Sequence, residues 1–181
     1  IHKIYVSGSF REESFYPALK NLIEECSTLL PLQETAGVLV QPKKEEAGIP
    51  DFRIGKNGEI VGYIEAKIPE ANLEEAEDSE QLRRYRKSLP NLILTNFLEF
   101  RLYRHGNLID KVEAGRQFTL QTLKFSPKPE KIDLFLELLQ KFFLYSIPKI
   151  RKSSDLSVEL ANRTRFLEHI LQDELTKENL E

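Results

Sequence analysis

With 181 residues, 40% hydrophobic and 30% charged, the chain can bury a core of its own and has a globular rather than a disordered composition. No apolar run approaches the roughly 20 residues that span a bilayer, and the single cysteine, Cys26, excludes an internal disulfide and a Cys-based zinc site. A net charge of −3 argues against a histone-like coat for nucleic acid but leaves room for an enzyme with one local basic groove and an acidic centre. Ile1 to Gly8 lacks the long apolar stretch of a signal peptide, so a cytoplasmic protein is expected. The absence of Met and the start at Ile1 read as a fragment or a processed chain. Leu180-Glu181 reads equally as a vector remnant or a natural end.

Phe15, Leu19, Leu22, Ile23 and Cys26 recur at helical spacing and predict a first helix over about residues 11 to 27. Pro17 must then lie in its first turn, where a missing N–H costs little. That makes Ser14 the expected N-cap, with Glu12 and Glu13 ahead of it or in an irregular first turn. Short β-type runs follow: Gly37 to Gln41, then Asp51 to Ile54 after a charged loop, then Ile60 to Lys67. The Asn57-Gly58 pair between the last two is a strong hairpin signal, so Asp51 and Glu65 should lie on antiparallel neighbours. Pro69 ends that strand. Leu73 to Lys87 reads as one charged helix of about four turns, broken by Pro90. Asn91 to Thr95 and Glu99 to Tyr103 read as strands around a tight Asn96-Phe97-Leu98 connection, and Asp110 to Gly115 as an edge strand. From Pro129 the chain turns helical. Ile132, Leu134, Phe135, Leu138, Leu139, Phe142 and Phe143 form one apolar face, and a last helix is expected from Asp155 to Leu175. The order predicts an α/β domain with a mixed, largely central sheet. An α/β core would span 1–128 and a helical extension or connector 129–181.

The residues that carry chemistry are Pro50-Asp51, then, across the hairpin, Glu65-Ala66-Lys67. Hydrolysis of a phosphodiester needs cations to neutralise the phosphate, an activated water, and stabilisation of the developing negative charge. Asp51 and Glu65 offer hard oxygen ligands suited to Mg²⁺. Strand alternation puts Glu65 and Lys67 on one face and turns Ala66 the other way, leaving its carbonyl as a third metal ligand. Lys67 beside the carboxylates would orient water or stabilise charge. Glu and Lys that interrupt an apolar strand are costly unless they pair or bind metal. The bland alternative is a surface strand with both side chains in solvent, since so short a motif arises often by chance.

Gln81 and Tyr85 are four apart and share a helix face, from which both could reach that centre. Arg83, Arg84, Arg86 and Lys87 form a basic cluster suited to DNA phosphates. For Arg83 and Lys87 a solvated face is the stronger reading.

The stretches AGIPDFRI, IVGYIEAK and EQLRRYRKSLPNLILTNFLEFRLYRHGN, with EESFYPALKNLIE upstream, resemble the N-terminal PD-(D/E)xK nuclease domain of type IIG-like restriction-modification enzymes. In those proteins the nuclease is fused to an adenine-N6 DNA methyltransferase. The resemblance runs from about Glu12 to Asn107. It implies a restriction-endonuclease-like fold, a mixed central sheet flanked by helices, and a Mg²⁺-dependent (Mn²⁺ substituting), site-specific deoxyribonuclease acting on double-stranded DNA. Asp51 and Glu65 would be metal ligands, Lys67 the catalytic lysine, and Gln81 and Tyr85 the family's QxxxY element. The family's helix acid falls on Glu12 when Pro17 is the anchor, with Glu13 the rival. The family has Tyr-Arg before that proline. Phe15 and Tyr16 stand here, so a phosphate-binding arginine is missing. No methyltransferase signature follows, and a linked or partner methyltransferase with a target-recognition domain is expected outside this sequence.

His2, His105 and His169 are scattered and read as structural or surface residues. Cys26 reads as core, and Tyr5, Tyr63 and Tyr103 as core or cross-strand aromatics. Two other functions compete. One is a catalytically silent nuclease-like module for DNA binding or assembly, against which the intact Asp51, Glu65 and Lys67 count. The other is a carboxylate-pair glycoside hydrolase, which would need neither Lys67 nor the QxxxY helix.

Overall fold

A computed structural model describes residues 1–30, 36–40, 50–122 and 130–145, with isolated helical positions between 157 and 168. In chain order the elements begin with α1 (His2–Val6), a short 3-10 turn (Glu12–Phe15) and α2 (Tyr16–Leu29). Strands β1 (Gly37–Val40), β2 (Phe52–Lys56) and β3 (Glu59–Ala66) follow. Helices α3 (Leu73–Glu77) and α4 (Glu80–Ser88) lead to β4 (Asn91–Thr95), β5 (Glu99–Arg104) and β6 (Asn107–Glu113), then to α5 (Gln117–Thr122) and α6 (Ile132–Phe143).

The strands form one six-stranded sheet in sequence order, β1-β2-β3-β4-β5-β6. All neighbours are antiparallel except β3 and β4. A parallel pair cannot be joined by a tight turn, and α3 and α4 supply its crossover. The two-residue side-chain period sorts the strands into two cores. Phe52, Ile54, Ile64, Ala66, Ile93, Phe100 and Leu102 face α2 and α6 in the larger one. Leu92, Leu94 and Tyr103 face Leu73, Leu82, Tyr85 and Leu89 of the α3–α4 segment in the smaller. Every residue of β4 is buried, as befits a strand covered on both faces.

The hairpin expected at Asn57-Gly58 is present. Both residues have positive φ (55° and 76°), the conformation that matches the twist of two antiparallel strands. The first helix is displaced from its expected start. Glu12 and Glu13 lie in the 3-10 turn, α2 begins at Tyr16 with Pro17 in its first turn, and Ser14 does not cap it. Instead the Ser14 hydroxyl accepts from the Arg11 amide at 3.0 Å. The single helix expected over Leu73 to Lys87 is two. Asn72 caps α3 by accepting from the Glu74 amide, and Ser79 caps α4 by accepting from the Leu82 amide. A serine whose hydroxyl satisfies the amides of a new helix competes with continuation of the old one.

The boundary drawn at 128/129 lies outside the described residues. Beyond it, α6 adds Phe135, Leu138, Leu139, Phe142 and Phe143 to the larger core. Most of the last expected helix, and His169, lie outside the described residues. Among the described residues no helix is long and apolar enough to cross a membrane.

The end of α6 is tied to the sheet by Asn91, whose amide donates to the carbonyls of Val61 and Phe142, each at 3.0 Å. Gly62 lies under this joint. A Cβ there would meet the Asn91 carbonyl oxygen and the Phe142 ring at 2.7 Å. Gly62→Ala is therefore expected to lower stability by about 1–3 kcal/mol. Equilibrium urea denaturation measures this, and an unchanged midpoint would mean that the joint yields freely.

Candidate active site

Asp51 immediately precedes β2, and its backbone lies outside the ladder. The antiparallel register Phe52↔Ile64, continued one residue, sets Asp51 opposite Glu65. The Ala66 amide donates to Asp51 Oδ2 at 2.8 Å. Asp51 and Glu65 are only 2% and 1% exposed. The Lys67 amide donates to the Thr95 carbonyl at 2.8 Å, extending the β3–β4 ladder one residue past β3. The expected alternation holds. Ala66 turns into the larger core, while Lys67 Nζ reaches Glu65 Oε1 at 2.6 Å with part of its side chain in solvent.

Helix α4 closes the centre from the side. Its Gln81 amide donates to the Tyr85 hydroxyl at 3.0 Å, and Tyr85 is buried. Burial is the main cause that pushes the Tyr85 phenol above its ordinary range, followed by the negative charge of Glu65 and, more weakly, of Asp51. Gln81 and Tyr85 thus stand with the carboxylates, on the face expected for them.

From the other side comes Tyr16, at the start of α2. Its ring packs on Phe52 with centroids 4.8 Å apart. Its hydroxyl donates to Glu12 Oε1 at 3.1 Å, and Asp51 lies close enough to act on the phenol. Burial raises the Tyr16 phenol first, then Asp51, then Glu12. Of the two adjacent acids, the structure brings half-buried Glu12 to the cluster and leaves Glu13 exposed. Tyr16 escaped the sequence reading as a participant. The only available signal was its i, i+4 spacing from Glu12.

Among the described residues no group of three or more His, Cys, Asp and Glu side chains is gathered closely enough to hold a metal ion. The oxygen donors at the centre are the Asp51–Glu65 pair and the backbone of Ala66. Such hard donors suit Mg²⁺, which takes one or two carboxylates and keeps waters for its remaining positions.

The basic cluster of α4 is divided. Arg86 is a structural residue and not an open phosphate contact. Its guanidinium donates to the Gly106 carbonyl at 3.2–3.3 Å and lies 4.8 Å above the Tyr103 ring. Arg83 faces Asp78 across 3.4 Å at the surface, and Lys87 is exposed, as their solvated reading has it. Tyr103 is a core residue whose hydroxyl donates to Glu77. Tyr5 stacks on Phe10, Cys26 is buried, and His2 is buried in α1. A hollow of about 730 Å³ lies elsewhere, at the hairpin end of β1–β3 beside Arg53 and Lys56, and no candidate site residue lines it. Converging buried polar groups mark this site, not the size of a cavity.

No family model matches the chain, and no curated protein matches it. Among solved structures it is similar to a chain of the DrdV–DNA complex, determined by cryo-electron microscopy. The TM-score is 0.52 at 16% identity, over 78% of this chain and 12% of that one. The chain therefore spans about 12% of the length of that protein. At this identity the likeness is one of fold. The mixed α/β sheet flanked by helices is restriction-endonuclease-like.

Three buried phenols, Tyr16, Tyr85 and Tyr103, are all raised above their ordinary value of 10.0. Folding favours their protonated form. The stability this gives is fully present below the unfolded value and is lost as pH rises towards the folded values, by about 4 kcal/mol per pH unit for three groups. Unfolding above about pH 10 should therefore release the three phenolic protons together, in an ultraviolet titration followed beside circular dichroism. Reversible titration of all six tyrosines with the fold intact would contradict these placements.

Proposed function

We propose that this chain is a divalent-metal-dependent DNA endonuclease module of the PD-(D/E)xK type, hydrolysing phosphodiester bonds at a centre made by Asp51, Glu65 and Lys67. One observation carries the reading. Two carboxylates, 2% and 1% exposed, adjoin at the ends of neighbouring strands, and a lysine lies 2.6 Å from one of them. Burying an ionised carboxylate costs several kcal/mol unless it is compensated. A divalent cation held by the pair would compensate that charge.

Mg²⁺, with Mn²⁺ able to substitute, would be held by Asp51, Glu65 and the Ala66 carbonyl. When bound, it supplies positive charge to the scissile phosphate and the departing oxygen. Lys67 holds a proton-rich ammonium at the solvent edge, placed to stabilise charge that develops on the phosphate. Tyr85 accepts from Gln81 and so keeps its own O–H proton to give. A phenol is protonated at neutral pH in any case, and burial and the charge of Glu65 push its ionisation further up. DNA as the substrate is supported by the fold shared with a chain of a DNA complex and by the sequence resemblance. That resemblance alone supports the finer reading of a site-specific, type IIG-like enzyme in the cytoplasm, with a methyltransferase and a target-recognition domain as linked or separate partners.

The test is cleavage of supercoiled plasmid in Mg²⁺, in Mn²⁺ and in chelator, with Lys67→Ala in parallel. Metal-dependent nicking is expected, and Lys67→Ala should lower it by about 10²–10³-fold while largely sparing metal binding. Full activity in that variant would remove the lysine from the mechanism. Metal and DNA binding without cutting would favour the silent module. Asp51→Asn should weaken Mn²⁺ binding by about tenfold or more by calorimetry, and unchanged binding would move the metal site elsewhere.

A further inference from the structure

We infer that Tyr16 is a positioning residue, which fixes the Asp51 carboxylate for cation binding and through which Glu12 acts on the site. The inference rests on the nuclease reading for the role of Asp51, but its evidence is separate.

Asp51 immediately precedes β2. Two other elements reach its carboxylate. The Ala66 amide of β3 donates to Oδ2 at 2.8 Å, and the Tyr16 hydroxyl of α2 reaches the same carboxylate. Tyr16 is itself held by its surroundings. Its side chain is buried, its ring lies on Phe52, and Pro17 follows it in the first turn of α2. Its hydroxyl also donates to Glu12 at 3.1 Å. The phenol therefore stands between two carboxylates, hydrogen-bonded to Glu12 with Asp51 beside it. A core phenylalanine would fill the same apolar space, and the hydroxyl adds only the link between Glu12 and Asp51. This link also explains why Glu12 is half-buried beside the centre while Glu12, Asp51 and Glu65 form no three-carboxylate metal cluster. The helix acid is one hydroxyl away from the metal ligand. Outer partners that orient a metal-binding carboxylate typically change metal affinity by about 10–100-fold when removed.

The experiment is calorimetric titration with Mn²⁺ alone on the intact chain and on Tyr16→Phe, Glu12→Gln, the double variant and Asp51→Asn, with metal-free thermal melts of each. Tyr16→Phe keeps the ring and should melt close to the parent while binding Mn²⁺ about tenfold more weakly. Glu12→Gln should weaken binding less, and the double variant should bind no more weakly than Tyr16→Phe, because Glu12 acts through the hydroxyl. Parent-like binding by Tyr16→Phe alongside a large loss in Asp51→Asn would overturn the inference and leave the nuclease reading standing. Fully additive losses would also overturn it, because Glu12 would then act on the cation directly. No effect of Asp51→Asn would overturn both. If Tyr16→Phe does not fold, Glu12→Gln decides alone. Parent-like binding at an unchanged melt overturns the link.

Discussion

The Ala66 amide gives its proton to a side chain rather than to the sheet, and the arrangement of the centre follows from that bond. Asp51 belongs to no strand, yet at 2.8 Å it is locked to the residue between Glu65 and Lys67. Alternation then does the sorting. With Ala66 turned into the larger core, Glu65 and Lys67 must face α4. A shift of one residue in the β2–β3 register would exchange those faces, bury Lys67 in the apolar layer and expose Ala66. The burial of Phe52, Ile54 and Ile64 makes such a shift costly, so core packing and site geometry enforce each other.

A second set of buried charges shows what full compensation looks like in the same fold. Arg101 is buried, and its guanidinium meets Glu99 at 2.6 Å and Glu77 at 3.0 Å. Tyr103 donates to Glu77 as well, and Lys111 reaches Glu99 at 3.1 Å. Hydrogen bonds and opposite charges keep Arg101 protonated and Glu77 ionised despite their desolvation. The cluster ties the end of α3 to β5, just before the Ser79 cap from which α4 starts. It therefore bears on where Gln81 and Tyr85 stand. The carboxylate pair at the centre is as deeply buried, with Lys67 at 2.6 Å from Glu65.

The basic residues of α4 show why composition is a poor guide to an interface. Four cations within five positions (Arg83, Arg84, Arg86, Lys87) form one cluster in the sequence. On a helix they point in different directions, and Arg86 is spent on the turn at Gly106 and the ring of Tyr103. Gly106 itself has φ +83°, and a Cβ there would come within 3.0 Å of the Arg86 carbonyl oxygen. That junction is packed, and it belongs to the framework rather than to an open groove.

Local chemistry alone determined much of this protein. The Asn57-Gly58 turn, the strands on either side of it, the alternation of Glu65 and Lys67, the break at Pro90 and the apolar face of α6 all depend on neighbours a few residues apart, and such preferences are written in the sequence. Tertiary structure decided the rest. The division of α3 from α4 rests on a cap at Ser79 that competes with a helical pattern running straight through it. The choice of Glu12 over Glu13 depends on where Tyr16 lands against Phe52, a contact across 36 positions of sequence. The bond from Ala66 to Asp51, the pairing of Arg101 and the loss of Arg86 to Gly106 likewise join residues whose separation along the chain carries no period. Residue types specify which groups could meet, and only the packed sheet and its two cores specify which of them do.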